Sequence, residues 1–113
     1  MSDCIFCSIA SGDIKSDVVY EDQNVIAFND INKQAPVHIV IIPKQHIPTI
    51  LDVQKDSSII NDIVMASQKI AEKEGISESG FRLVNNCNEH GGQTVFHLHF
   101  HLLGGRNMTW PPG

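Results

Sequence analysis

The chain has 113 residues, of which 42% are hydrophobic and 19% charged, and this composition supports one packed domain and argues against global disorder. Its net charge of −5, with histidines neutral, argues against a protein that binds the backbone of DNA or RNA. The N-terminus has no basic segment followed by a long apolar one, and no apolar run approaches the length of a membrane span. We therefore expect a single cytoplasmic domain over residues 1–113, with no membrane or nucleic-acid partner.

The first half of the chain predicts a short helix and three strands. Residues 4–10 show helical apolar spacing, and the helix should end before Gly12. Residues 17–30 predict a hairpin around a tight turn at 21–24. Residues 38–44 are rich in β-branched side chains and predict a buried strand that ends near its proline.

The second half predicts the main helix and two further strands. Asp56 is a suitable N-cap, the apolar residues after it follow the i, i+3, i+4 pattern, and Gly75 should end the helix. Strands are predicted at 81–86 and 93–103, and an extended tail at about 104–113. Short connections between five strands indicate an α+β fold, a five-stranded antiparallel sheet with one long and one short helix.

Three histidines occupy alternate positions of the last predicted strand. Because successive side chains of a strand point to opposite faces, His97, His99 and His101 should share one face. The residues between them, which should share the other face and pack on the main helix, are Leu98, Phe100 and Leu102. The outer two histidines lie about 13 Å apart along a strand, so one metal site with all three is disfavoured, although two of them can share an ion.

Two interpretations of this face remain open, a solvated polar surface and a catalytic site. A neutral imidazole is a good nucleophile near pH 7, and a neighbouring histidine can act as an acid or hold phosphate oxygens. The preceding residues add to the catalytic interpretation, because Gly91 and Gly92 permit a close approach of the backbone to an anion, and Gln93 and Thr94 add donors. A pair of glycines is also typical of a simple turn, and the chain has no P-loop motif.

At this point the sequence resembles a known family. The segments "GGQTVFHLHFHLLGG" and "PVHIVIIPKQHI" are similar to the histidine-triad superfamily, and the ending "RNMTWPPG" resembles its branch of histidine-triad nucleotide-binding proteins, the purine nucleoside phosphoramidases. The resemblance implies a homodimeric α+β domain. It also implies a hydrolase that cleaves the P–N bond of nucleoside 5′-phosphoramidates, such as AMP-linked amines, through a covalent nucleotidyl-histidine.

The resemblance also implies roles for individual residues. His99 would attack the α-phosphorus, His101 would contact the phosphate oxygens, and His97 and His38 would orient the cluster. The implied nucleotide pocket has Phe6 and Ile31 against the base, Asp30 at the ribose hydroxyls, and Asn86, Gly92, Gln93 and Thr94 on the phosphate side, with Thr94 near the leaving amine. From the residues alone, Asp30 is equally suited to forming a turn in "NDIN".

The cysteines raise a separate question. An odd count of three argues against a disulfide framework, and Cys87 is expected to be structural. Cys4 and Cys7 form a C-x-x-C pair, which can be a metal site, a redox pair or two buried apolar side chains. The resemblance implies a structural zinc site whose ligands would be Cys4, Cys7, His46 and His97, with no cofactor required for the chemistry.

Four rival functions stay open at the level of the sequence. Within the superfamily these are a dinucleoside polyphosphate hydrolase and a nucleotidyltransferase, but the transferases carry glutamine in place of the third histidine, so His101 argues against them. The tail around Trp110 argues against the polyphosphate branch, and the resemblance implies that this tail packs on a partner subunit. Outside enzymes of this kind, the chain could be a nucleotide-binding or scaffold module with incidental turnover, or a zinc-dependent hydrolase.

Overall fold

The computed structural model describes residues 3–113, and within them five strands form one antiparallel sheet in the order β1-β2-β3-β5-β4. The strands are β1 (Val18–Glu21), β2 (Val25–Asn29), β3 (Val37–Pro43), β4 (Phe81–Asn85) and β5 (Phe100–Gly104). The helices are α1 (Ile5–Ser11), α2 (Ile59–Lys73) and the one-turn α3 (Asn88–Gly91), with a 3-10 helix at Ile50–Asp52. The predicted α+β class and five-stranded sheet are confirmed, and α3 is an additional helix in a segment where no helix was expected.

The main helix ends as predicted but begins later. Gly75 has φ +74°, and the N–H of Ile76 donates to the carbonyl of Ala71 at 2.9 Å, which is the six-residue bond of a Schellman motif. At the other end the N-cap is Ser58 rather than Asp56. The first turn is instead held from outside the helix, because the Ser57 hydroxyl accepts the N–H of Ile59 at 3.1 Å.

The last strand is shorter than the predicted span of 93–103. It begins only at Phe100, so His97 and His99 lie in the irregular segment before it. One of its two neighbours ends at this point: Phe100 pairs with Asn85, the last residue of β4, whereas on the other side it pairs with Ile41 of β3, which continues to Pro43. Beyond that point the backbone bonds elsewhere, and the N–H of Leu98 donates to the carbonyl of Ile47 at 2.6 Å.

The two faces of the sheet pack against different helices. Leu98 and Leu102 are fully buried in the cluster that contains Ile63 and Ile70 of α2, and Phe100 packs against the same cluster, as the alternation predicted. The opposite face forms a smaller cluster, in which Phe6, Ile9 and Ala10 of α1 lie against strands β2 and β3. The histidines therefore lie on the face that α1 covers.

The tail after β5 contains no helix or strand in residues 105–113. Two arginines connect the tail to the rest of the domain by hydrogen bonds. Arg82 Nη2 donates to the carbonyl of Thr109 at 2.9 Å, and Arg106 Nη2 donates to the carbonyl of Gln34 at 3.0 Å. Trp110 remains 82% exposed. In residues 3–113, none of the helices has the combination of length and hydropathy that a bilayer crossing requires.

Candidate active site

A row of cross-strand neighbours forms the floor of a cleft between α1 and the sheet. Phe28 of β2 lies opposite Val40 of β3, which in turn lies opposite His101 of β5. Directly opposite residues in an antiparallel ladder share a face, so the register alone places an apolar surface beside an imidazole. Phe6 of α1 packs edge-on against Phe28, with ring centroids 5.6 Å apart, and the resulting cleft has a volume of about 420 Å³.

His99 has a tautomer that is fixed by the backbone. Its Nδ1 lies 2.8 Å from the carbonyl oxygen of His97, which can only accept, so Nδ1 carries the proton. The Nε2 lone pair is then available, and His99 is one of the residues that line the cleft. The ring is only 6% exposed and His97 is fully buried, so the interpretation of the three histidines as a solvated face is wrong.

His101 is oriented from behind by a second imidazole. The backbone N–H of Gln34 donates to His38 Nδ1 at 3.0 Å, which places the proton of His38 on Nε2. His38 Nε2 lies 2.9 Å from His101 Nδ1, so the latter accepts and the proton of His101 is on its own Nε2. His101 also lines the cleft, and it therefore presents a hydrogen-bond donor next to the lone pair of His99, with ring centroids 5.1 Å apart.

Burial keeps this pair of histidines uncharged. Loss of hydration, together with the neighbouring rings of His99 and His38, lowers the pKa of His101 from its usual 6.5 to about 4. The pKa of His38 is also lowered, mainly by burial, although the Asp30 carboxylate opposes that change. At neutral pH, His38 and His101 therefore form a hydrogen-bonded relay of two neutral rings, in which each ring nitrogen is a defined donor or acceptor.

Asp30 forms a turn and also lines the cleft. Its Oδ1 accepts the N–H of Asn32 at 2.8 Å, which is the turn interaction of an Asx motif. Its Oδ2 lies 3.4 Å from His38 Nε2, and the residue lines the cleft. Ligand atoms of Asp30, His38 and His101 lie within 4.8 Å of one another, but two of these nitrogens already share the relay hydrogen bond.

The cleft brings together most of the nucleotide-site residues that the sequence suggested. Those that line it are Phe6, Asp30, Ile31, Asn86, Gly92, Thr94, His99 and His101. His38 and His97 lie beneath this lining, as the hydrogen bonds above describe. The sequence analysis missed other lining residues, namely Ile5, Ile9, Ile14, Lys15, Ser16, Phe28, Asn29, Val40 and Val95. The alternation of β2 and β3 could have revealed Phe28 and Val40, whereas the loop residues Lys15 and Ser16 carry no such signal.

Gln93 differs from the expectation that it lines the phosphate side. Its side chain is buried outside the cleft, where Nε2 donates to the carbonyls of Pro48 and Val95 at 2.8 and 3.0 Å. Its Oε1 accepts the N–H of Asn88 at 2.9 Å. Every hydrogen-bonding group of this amide except one oxygen lone pair is thus used to hold the loop, so Gln93 shapes the site without facing a ligand.

A second cluster lies at the start of α1, next to the first histidine of the triad. His97 Nε2 donates to the carbonyl of Pro43 at 2.8 Å, so its Nδ1 is unprotonated. That nitrogen lies 3.3 Å from Cys4 Sγ, 3.4 Å from Cys7 Sγ and 3.2 Å from His46 Nδ1. The four ligand atoms lie within 4.8 Å of one another, which is an arrangement that can hold a metal ion.

Comparison with known proteins agrees with this geometry. The HIT domain matches residues 11–108. The chain is 50% identical over 105 residues to the purine nucleoside phosphoramidase of Escherichia coli, covering 92% of this chain and 88% of that protein. The crystal structure of a HIT family hydrolase from Legionella pneumophila superposes with a TM-score of 0.95 at 56% identity, covering 98% of this chain and 100% of that one. A histidine triad protein from Clostridium difficile gives a TM-score of 0.94 at 45% identity, covering 96% of each chain.

Proposed function

The chain belongs to the HIT domain family, and we propose that it hydrolyses the P–N bond of nucleoside 5′-phosphoramidates through a covalent nucleotide on His99. One observation carries the proposal: the carbonyl of His97 holds the Nδ1 proton of His99, which leaves Nε2 as a nucleophile in the cleft. The name of the Escherichia coli relative, a purine nucleoside phosphoramidase, supports this choice of substrate class.

In the first step, His99 Nε2 bonds to the α-phosphorus and the P–N bond breaks. The His99 ring becomes positively charged as it does so, and the carbonyl of His97 stabilises that charge through the Nδ1 proton. His101 Nε2 supplies a hydrogen bond to a phosphate oxygen. The phosphoramidate nitrogen takes a proton from solvent before the P–N bond breaks, so the amine departs as a neutral molecule, while His38 holds the orientation of His101 through the 2.9 Å bond to His101 Nδ1.

In the second step, water attacks the same phosphorus and the bond to His99 breaks, which releases a nucleoside 5′-monophosphate. The proton that the attacking water loses passes to solvent or to a phosphate oxygen, and His99 leaves as a neutral imidazole whose Nδ1 proton stays hydrogen-bonded to the carbonyl of His97. Because the donors at the phosphate are neutral imidazole, amide and hydroxyl groups, the site favours a substrate of low charge. Thr94 is placed on the cleft wall, where we propose that it contacts the leaving amine.

The nucleoside would occupy the apolar end of the cleft. Phe6 and Ile31 lie on its wall, and Ile31 is fully exposed, so a purine base could bury this side chain on binding. We propose that the Asp30 carboxylate accepts the two ribose hydroxyls. Asn86 and Gly92 line the remaining side and would contact the phosphate.

We further propose that Cys4, Cys7, His46 and His97 hold a structural zinc ion. In a tetrahedral site, two nitrogens would be about 3.3 Å apart and a nitrogen and a sulfur about 3.6 Å apart, as follows from the usual zinc–ligand distances. The corresponding distances here are 3.2 Å between the two Nδ1 atoms and 3.2–3.4 Å between sulfur and nitrogen. The donor set is therefore a good fit to zinc, and four protein ligands leave no open position for chemistry.

Two further proposals concern the assembly and its location. The exposed Trp110 in a tail without regular structure is suited to packing on another subunit, so we propose a homodimer. The cytoplasm is the proposed location, since thiolate ligands require a reducing compartment.

The decisive test is whether a nucleotide becomes attached to His99. The protein is incubated with adenosine 5′-phosphoramidate, quenched in denaturant and digested, and the mass of the peptide that contains His99 is measured. We expect an increase corresponding to one AMP, and we expect His99→Ala to form no adduct and to lose at least 1,000-fold in kcat. Binding of AMP without turnover or adduct would instead support a nucleotide-binding module.

A further inference from the structure

The metal cluster and the nucleophile are connected by two separate paths, and His97 provides the first. Its Nδ1 is turned toward the two cysteines, whereas its main-chain carbonyl holds the Nδ1 proton of His99 at 2.8 Å. Any ion bound at His97 Nδ1 therefore restrains the same residue whose carbonyl sets the tautomer of the nucleophile. His97 and His99 precede β5, so the sheet ladder does not fix this peptide.

Phe6 provides the second path, because it lies between the two cysteines in the chain. Its ring centroid is 5.0 Å from that of His99 with the planes at 81°, and 6.0 Å from that of His97 at 79°. These are edge-to-face contacts of the kind that stabilise one ring orientation over others. Since Phe6 follows Cys4 and precedes Cys7 in the first turn of α1, two bound sulfur atoms also fix its backbone.

Helix α1 has few other means of holding Phe6 in place. It has seven residues, far fewer than the 12–15 or so that an isolated helix needs to be stable. Ile9 is its only buried residue within the described chain. Both cysteines, in contrast, contact His97, which is 90 or more positions away in the sequence. A metal at this point would add a tie between α1 and His97 to the apolar packing of α1 on β2 and β3.

We infer that the metal centre positions the nucleophile, and that Phe6 is a positioning residue for His99 in addition to a wall of the base pocket. This inference rests on the proposed function, because it requires both the metal and the attack by His99. It predicts that the ring of Phe6 affects the chemical step for substrates with and without a base.

The first experiment compares Phe6→Leu with wild type on two substrates, adenosine 5′-phosphoramidate and 1-O-methylribose 5-phosphoramidate, which has no base. We expect kcat to fall about 3–10-fold on both substrates, the effect of losing an aromatic contact to the nucleophile, while bound zinc stays at one ion per chain. Phe81→Leu is the matched control, because Phe81 is a similarly half-exposed aromatic residue in the edge strand β4, and its kcat should not change. A loss confined to KM for the adenosine substrate would overturn the inference.

The second experiment does not depend on turnover. The histidine ring nitrogens of the full chain are observed by long-range ¹H–¹⁵N NMR before and after zinc is removed with a chelator. We expect His99 to change from the Nδ1-protonated form to a mixture of tautomers when zinc is removed. If the His99 resonances are the same with and without zinc, the inference is refuted. A wild-type chain that binds no zinc would refute the inference and leave the proposed hydrolysis standing, whereas one that cleaves neither substrate would refute both.

Discussion

The buried relay of His38 and His101 makes the stability of the fold sensitive to acid. His101 is neutral in the folded chain down to a pKa of about 4, whereas in the unfolded chain it binds a proton below about 6.5. Between these two values the unfolded state binds more protons, so the free energy of unfolding rises with pH. The contribution of His101 is therefore fully present above pH 6.5 and is lost as the pH falls toward 4.

The size of this contribution follows from the pKa difference. A fall from 6.5 to about 4 corresponds to about 3 kcal/mol when the titration is complete, and about 2 kcal/mol of this is lost by pH 4.5. Replacing His101 with asparagine removes the titrating group and keeps an oxygen that can accept from His38 Nε2. The variant should therefore lose about 2 kcal/mol less than wild type between pH 7.5 and pH 4.5.

Guanidinium unfolding at the two pH values measures this difference. Changes that both proteins share cancel in the comparison. If wild type and His101→Asn lose the same free energy of unfolding over this range, then His101 is not the buried neutral group that the structure indicates, and the donor assignment of the relay is wrong.

Three further substitutions test the other assigned roles. Replacing both Cys4 and Cys7 with serine should abolish zinc binding and lower stability by about 4 kcal/mol when zinc is 1,000-fold above its Kd, and metal analysis with thermal unfolding checks both. Gln93→Ala removes the side-chain partners of three backbone groups and should cost about 1–3 kcal/mol, while the Kd for AMP stays close to wild type by calorimetry. Asp30→Ala should raise KM for adenosine 5′-phosphoramidate about tenfold but leave KM for its 2′,3′-dideoxy analogue nearly unchanged.

The parts of the fold that sequence predicted well are those in which local chemistry decides the structure. The hairpin turn is one example, because Asp22 accepts the N–H groups of Asn24 and Val25 at 2.8 Å, a contact between residues adjacent in sequence. The end of α2 at Gly75 is another. The start of β5 could not be found in this way, since it coincides with the end of the partner strand β4, which is distant in the sequence.

In the site, too, the sequence could not predict contacts that depend on residues distant in the chain. The pattern of histidines indicated one shared face, and the resemblance to the histidine-triad superfamily supplied roles for Asp30 and Thr94 that spacing alone could not. Gln93 lies beside two cleft residues in the sequence, yet its amide is buried and bonds to Pro48, a contact across 45 positions, so a role of Gln93 in nucleotide binding stays a prediction. Whether a polar side chain faces a ligand or the protein is decided by such distant partners.

The three triad histidines have the same side chain. The structure gives them different properties, because one ring nitrogen of each has a different hydrogen-bond partner. A carbonyl at Nε2 of His97 leaves Nδ1 unprotonated and facing the two cysteines, and a carbonyl at Nδ1 of His99 leaves Nε2 unprotonated, the nitrogen that we propose attacks phosphorus. In His101 the donor His38 occupies Nδ1 instead, so Nε2 must carry a proton. Exchanging a donor for an acceptor at any of these positions would turn a nucleophile into an acid, or the reverse, without altering the triad itself.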